Sequence, residues 1–142
     1  MSTLTFSFRL RSLHGITNPV SQELTVEFLT PEGVWQPQLP TLSTPGFRLY
    51  LLSLLLCQHH YLVANAQEKG IPLAQVDGTF TVQSSASWII ETIAGDFQLQ
   101  LKPGAALERK EMDFLESRMK ACPVSRNLPE SVLKMITVNL AP

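Results

Sequence analysis

A chain of 142 residues, 44% of them hydrophobic, is long enough for one domain with a real core, and 1–142 reads as a single domain. Its 11 basic and 12 acidic residues leave a net charge of −1, which supplies neither the basic surface that nucleic acid needs nor one suited to an anionic membrane. The start, Met1 to Phe6, lacks a charged segment leading into an apolar one, and the most apolar run, Leu49 to Cys57, gives way to Gln58-His59-His60, short of the ~20 residues a bilayer span requires.

In chain order, Leu4, Phe6, Phe8 and Leu10 alternate with Thr5, Ser7, Arg9 and Arg11, the period of a strand with one buried face. His14-Gly15 through Asn18-Pro19 is turn chemistry. Leu24, Val26 and Phe28 alternate with Glu23, Thr25 and Glu27, giving a second strand expected to pair with the first. Pro31-Glu32-Gly33 turns the chain into a short segment around Val34-Trp35.

A long helix follows. Ser43 or Thr44 is its expected cap, Pro45 suits its first position, and Gly70 before Ile71-Pro72 ends it. At about 25 residues it would run roughly 37 Å. From Phe47 to Leu56 it is apolar nearly all round, so one sheet leaves part of it uncovered, and a second subunit is expected there. Val76 to Val82, Trp88 to Ile93 and Phe97 to Lys102 read as three strands, Ala105 to Ala121 as an amphipathic helix, and Ile136, Val138 and Leu140 as a last strand. The fold class is α+β, with helices packed on antiparallel sheets.

Two cysteines carry the chemistry. Cys57 sits in the apolar helix, where a thiol serves either as a small hydrophobe or, given an electropositive opening, as a nucleophile. Cys122 stands between a helix end and Pro123, close to an N-cap, where the helix dipole favours a thiolate; Arg126 lies one turn on. On that local reading Cys122 is the more acidic of the two, or else a turn cysteine without a role. His60, three residues from Cys57, shares its helix face and is a candidate hydrogen-bond partner or base. Cys57, His59, His60 and Cys122 are a poor zinc set, because neighbouring histidines on a helix diverge; no metal is expected. Arg48, the long helix's only charge from Phe47 to Gln67, is expected to pair with Glu23, Glu27 or Glu32, to meet a bound anion, or to reach solvent. No Ser-His-Asp arrangement accompanies Ser125.

Three pieces resemble the OsmC/Ohr family of osmotically inducible and organic-hydroperoxide-resistance proteins. They are a cysteine within a long apolar helix that closes Glu68-Lys69-Gly70-Ile71-Pro72-Leu73, an alternating strand closed by Lys102-Pro103-Gly104, and a helix running into Cys122-Pro123-Val124-Ser125-Arg126-Asn127-Leu128. The resemblance covers most of the chain from the long helix onward. It implies an OsmC-like fold, in which antiparallel sheets pack against a long central helix and a second, C-terminal one, in an intertwined homodimer with sites at the interface. It also implies a thiol-dependent peroxidase with no cofactor, in which Cys57 attacks an organic hydroperoxide, Cys122 resolves the product to a disulfide, and an external dithiol reductant restores both thiols. With two cysteines and no export signal, the expected compartment is a reducing cytoplasm. Where the family carries a glutamate at the helix start, this chain reads Thr44-Pro45-Gly46-Phe47-Arg48, and no Asp or Glu occurs between Glu32 and Glu68. The family's thiolate-holding loop arginine has no counterpart in Leu13-His14-Gly15-Ile16, which leaves Arg48, or Arg11 on the adjoining strand, as candidate thiolate-stabilising groups. These departures motivate an alternative, a non-catalytic OsmC-like module that binds a small apolar ligand or a partner at the interface.

Overall fold

The computed structural model describes residues 3–15 and 21–142. Six strands form one sheet in the order β3-β2-β1-β4-β5-β6: β1 (Leu4–His14), β2 (Ser21–Leu29), β3 (Trp35–Pro37), β4 (Leu73–Ser84), β5 (Ile90–Leu101) and β6 (Leu133–Leu140). The first two strands pair antiparallel, as the alternation predicts, with Phe8 opposite Phe28 and Leu10 opposite Val26. The turn expected from His14-Gly15 to Asn18-Pro19 falls largely outside the described residues.

Alternation decides the faces. Phe8, Leu10, Val76, Phe80, Val82, Ile93, Phe97, Leu99, Ile136 and Val138 are buried on the helix side. On the other side Arg9 pairs with Glu27 and Arg11 with Asp77, each at 2.6 Å. Three helices complete the chain: α1 (Gly46–Glu68), α2 (Arg109–Lys120) and the single turn α3 (Pro123–Arg126). Leu51, Leu54, Leu55, Leu62 and Ala66 of α1 and Leu115 and Met119 of α2 close the core.

Four expectations are corrected. The two strands expected at Trp88–Ile93 and Phe97–Lys102 are one, β5 (Ile90–Leu101), which runs unbroken through Gly95. Gly95 shares the inner face with Ile93 and Phe97, and a Cβ there would lie 3.0 Å from the Phe97 ring and 3.2 Å from Gln58 Oε1. Trp88 falls instead in the β4–β5 turn with φ 67°, held by its N–H donating to Ser85 O at 2.9 Å. The sheet is not wholly antiparallel: β5 and β6 run parallel, since the intervening α2 and α3 carry the chain back across the sheet. Helix α1 begins at Gly46 with Pro45 as its N-cap and no side-chain cap, because Thr44 Oγ1 instead accepts from Thr41 N–H at 2.9 Å. Helix α2 starts at Arg109 rather than Ala105, fixed by a capping box between Glu108 and Glu111. At its far end α1 stops two residues before Gly70, whose φ of 72° is a left-handed conformation that glycine adopts without strain.

Candidate functional site

Cys57 lies at the middle of α1, on the flank between its sheet-facing side and its open side, and is half-buried. Cys122 is the N-cap of α3, follows directly on the end of α2, and is fully buried. Packing of α3 against α1 brings these two thiols, 65 positions apart in the chain, close enough that Cys57 influences the ionisation of Cys122. The backbone amides of Val124 and Ser125, in the α3 turn that Cys122 opens, lie close to its sulfur and favour the thiolate, although Cys122 makes no side-chain cap hydrogen bond.

Local chemistry favoured an acidic Cys122. The structure reverses that: burial first, then the neighbouring Cys57 thiol, pushes the Cys122 thiol up to about 11 against the pull of the nearby Val124 and Ser125 amides. Desolvation outweighs a one-turn helix because removing a thiolate from water costs more than two amide donors return.

The candidate cations lie elsewhere. Half-buried Arg48 stacks its guanidinium 4.2 Å from the centre of the Phe28 ring, so a cation–π contact takes the place of the expected carboxylate. Arg11 is on the opposite sheet face with Asp77, Arg126 is exposed, and His60 is exposed with its ring edge-on to Tyr61. None of the three arginines enters the electrostatics of Cys122.

Three polar features beside the thiols were not foreseen. Gln58, next to Cys57, is fully buried between α1 and β5, and neither atom of its carboxamide has a hydrogen-bond partner. The hydroxyl of Ser125, equally buried, has none either. Each such group costs about 1–3 kcal/mol. The third is Lys134 on β6, half-buried, whose ammonium donates to Ser125 O at 2.8 Å. On the other side of α1, His59 Nε2 and His14 Nε2 both bond the buried Ser12 hydroxyl at 2.9 Å, tying the helix to the end of β1. Burial, and then the His14 and His60 rings, hold His59 down at about 4. Alternation on β6 gives Lys134 the same inward parity as Ile136 and Val138, a signal present in the sequence. The Gln58 and His59 positions follow from the phase of α1, which its all-round apolar composition hides.

Among the described residues no three His, Cys, Asp or Glu side chains converge on one metal site, and no helix is long and apolar enough to cross a membrane. A surface depression of about 520 Å³ lies on the outer sheet face around Arg9, Arg11, Asp77 and Asp96, away from the thiols, with both arginines already paired.

No protein-family model matches the sequence, and no curated protein does. Solved structures do match in shape. An OsmC-like protein from Mycoplasma pneumoniae superposes with a TM-score of 0.57 at 12% identity, over 100% of this chain and 99% of that one. An OsmC-like hydroperoxide resistance protein from Jannaschia sp. CCS1 gives 0.51 at 15% identity, over 87% and 86%. The six-stranded sheet with its long apolar helix is therefore the OsmC-like fold, in a sequence that has diverged far from those of its structural neighbours.

Proposed function

We propose that this chain reduces organic hydroperoxides through its two cysteines. The observation that carries the reading is the thiol pair itself: one sulfur half-open, the other buried, close enough for one to affect the other's ionisation although distant in sequence. The Cys57 thiolate attacks the distal oxygen of ROOH, the O–O bond breaks, ROH leaves, and Cys57 becomes a sulfenic acid. Cys122 then attacks that sulfur, a disulfide forms, and the Cys122 proton departs with the sulfenic oxygen as water. A dithiol reductant returns both thiols. A structural neighbour described as a hydroperoxide resistance protein is consistent with this chemistry. Incubation with cumene hydroperoxide and dithiothreitol should consume peroxide, and Cys57→Ser should abolish turnover; equal rates for the two proteins rule the reading out.

The same reading takes the protein as a homodimer in a reducing compartment. Leu49, Tyr50, Leu56, Cys57 and Tyr61 leave apolar surface open along α1, and a second copy packed there would complete the wall around Cys57. Sedimentation of the purified chain tests this: a monomer at micromolar concentration argues against it.

A second reading, a non-catalytic module that binds a small apolar molecule or a partner on this face, is favoured by one observation. Arg48, the charged residue of α1 nearest its start, is engaged by Phe28 rather than directed at a thiol. It requires that peroxide leave both thiols unmodified by mass spectrometry.

A further inference from the structure

We propose that Lys134 is a positioning residue for Cys122, holding the α3 turn so that the two sulfurs can bond. The inference rests on the reading of Cys57 and Cys122 as a disulfide-forming pair, but not on peroxide as the oxidant.

Four observations carry it. Lys134 faces the interior with Ile136 and Val138, where an apolar residue would be expected, and is half-buried. Its ammonium donates to the carbonyl of Ser125 at 2.8 Å, and among the described residues it makes no ion pair. A half-buried cation met by a carbonyl and no carboxylate gives up part of its hydration without an ion pair in return. The residue it grips belongs to α3, a helix of only four residues whose N-cap is Cys122, and the next residue, Arg126, donates its N–H to Cys122 O at 3.0 Å. A contact chain thus runs from β6 through Lys134 and Ser125 to Cys122 and Cys57.

The geometry gives this chain work to do. A disulfide requires sulfurs about 2.05 Å apart in a narrow range of torsions, closer than two unbonded thiols stand. Cys122 must approach while its turn keeps its orientation. One turn of helix holds itself together weakly, and the tether to the sheet fixes where it stands relative to α1.

The test uses Lys134→Met and Lys134→Arg with diamide. A thiolate adds to the N=N bond, the second thiol displaces the hydrazine nitrogen, and two thiols become a disulfide while the diazene is reduced to a hydrazine that takes both protons. The expected result is that wild type and Lys134→Arg close at similar rates, whereas Lys134→Met closes at least fivefold more slowly. Its Tm should be unchanged or raised, and alkylation of Cys57 by iodoacetamide unaffected. Closure of Lys134→Met within fivefold of wild type overturns the proposal, as does slowing accompanied by a lower Tm, which marks a merely structural residue. If Lys134→Met does not fold, Lys134→Gln is judged by the same limits. Failure of wild type to close with diamide also overturns it. Closure with diamide but not with cumene hydroperoxide refutes the peroxidase reading and leaves the role of Lys134 standing.

Discussion

Acid should weaken this fold through His59 before most of its carboxylates are protonated. The ring is 4% exposed, bonded to Ser12, and held at about 4 rather than 6.5. The sign follows from which form the fold accepts. The folded state keeps the imidazole neutral, so unfolding takes up a proton wherever the pH lies between those values. Stability is therefore full above about 6.5, falls as pH drops through the window, and levels off near 4. A span of about 2.5 units at 1.36 kcal/mol each sets the loss at about 3 kcal/mol, with a slope of about 1.4 kcal/mol per pH unit in mid-window. Carboxylates titrate in the same range, so the measurement is a difference. Urea unfolding of wild type and of His59→Gln is compared from pH 7 to pH 3.5, and terms common to both cancel. The gap between the two curves should shift by about 3 kcal/mol across the range. Parallel curves would refute the reasoning, since they would mean that His59 protonates equally well folded and unfolded.

Other perturbations test the packing and the thiols. In Gly78→Ala the new methyl would stand 2.8 Å from two carbons of the fully buried Phe97 ring, so urea unfolding should show a loss of about 1–3 kcal/mol; an unchanged midpoint would mean that the ring moves freely. Gln58→Leu removes two unpaired polar atoms at nearly constant volume and should be neutral or stabilising by about 1–3 kcal/mol, while a clear loss of stability would reveal a partner for the carboxamide. At pH 7 a thiol of pKa about 11 is ionised in about one molecule in ten thousand, so iodoacetamide should label half-open Cys57 and spare buried Cys122 in the native protein. Equal labelling by mass spectrometry would contradict the burial of Cys122.

The fold was legible where side chains alternate. Period 2 in β1 and β2 marks buried Phe8, Leu10 and Phe28 without ambiguity, and Gly70 marks the end of α1 because few other residues take a positive φ there. The gap read between Ile93 and Phe97 does not exist: Gly95 continues β5 and makes room for Phe97 and Gln58. The parallel pairing of β5 with β6 is a property of the crossover, which no local pattern encodes. Within the site, the cysteines were legible and their electrostatics were not. An N-cap position is a local signal, whereas burial of Cys122 depends on how α3 settles against α1. The arginines were sought because positive charge near a thiol is the usual route to reactivity. The cation that approaches the Cys122 turn is Lys134, reached through alternation on the last strand rather than through proximity in sequence.

Burial also bears on the order in which the two sulfurs act. A first attacker must meet substrate and be ionised, and Cys122 is closed to solvent with its thiol held neutral. A second attacker has the opposite requirements. It should not compete for peroxide, it gives up its proton only when a sulfenic acid stands beside it, and that acid's departing oxygen takes the proton. The backbone amides of Val124 and Ser125 lie near its sulfur and favour the negative charge that develops as the S–H bond breaks. Local sequence chemistry ranked Cys122 as the more reactive thiol, because an N-cap resembles an activated site. In the reaction proposed, those same amides serve the later step, and Cys57, at the open flank of α1, is the sulfur an incoming oxidant meets first.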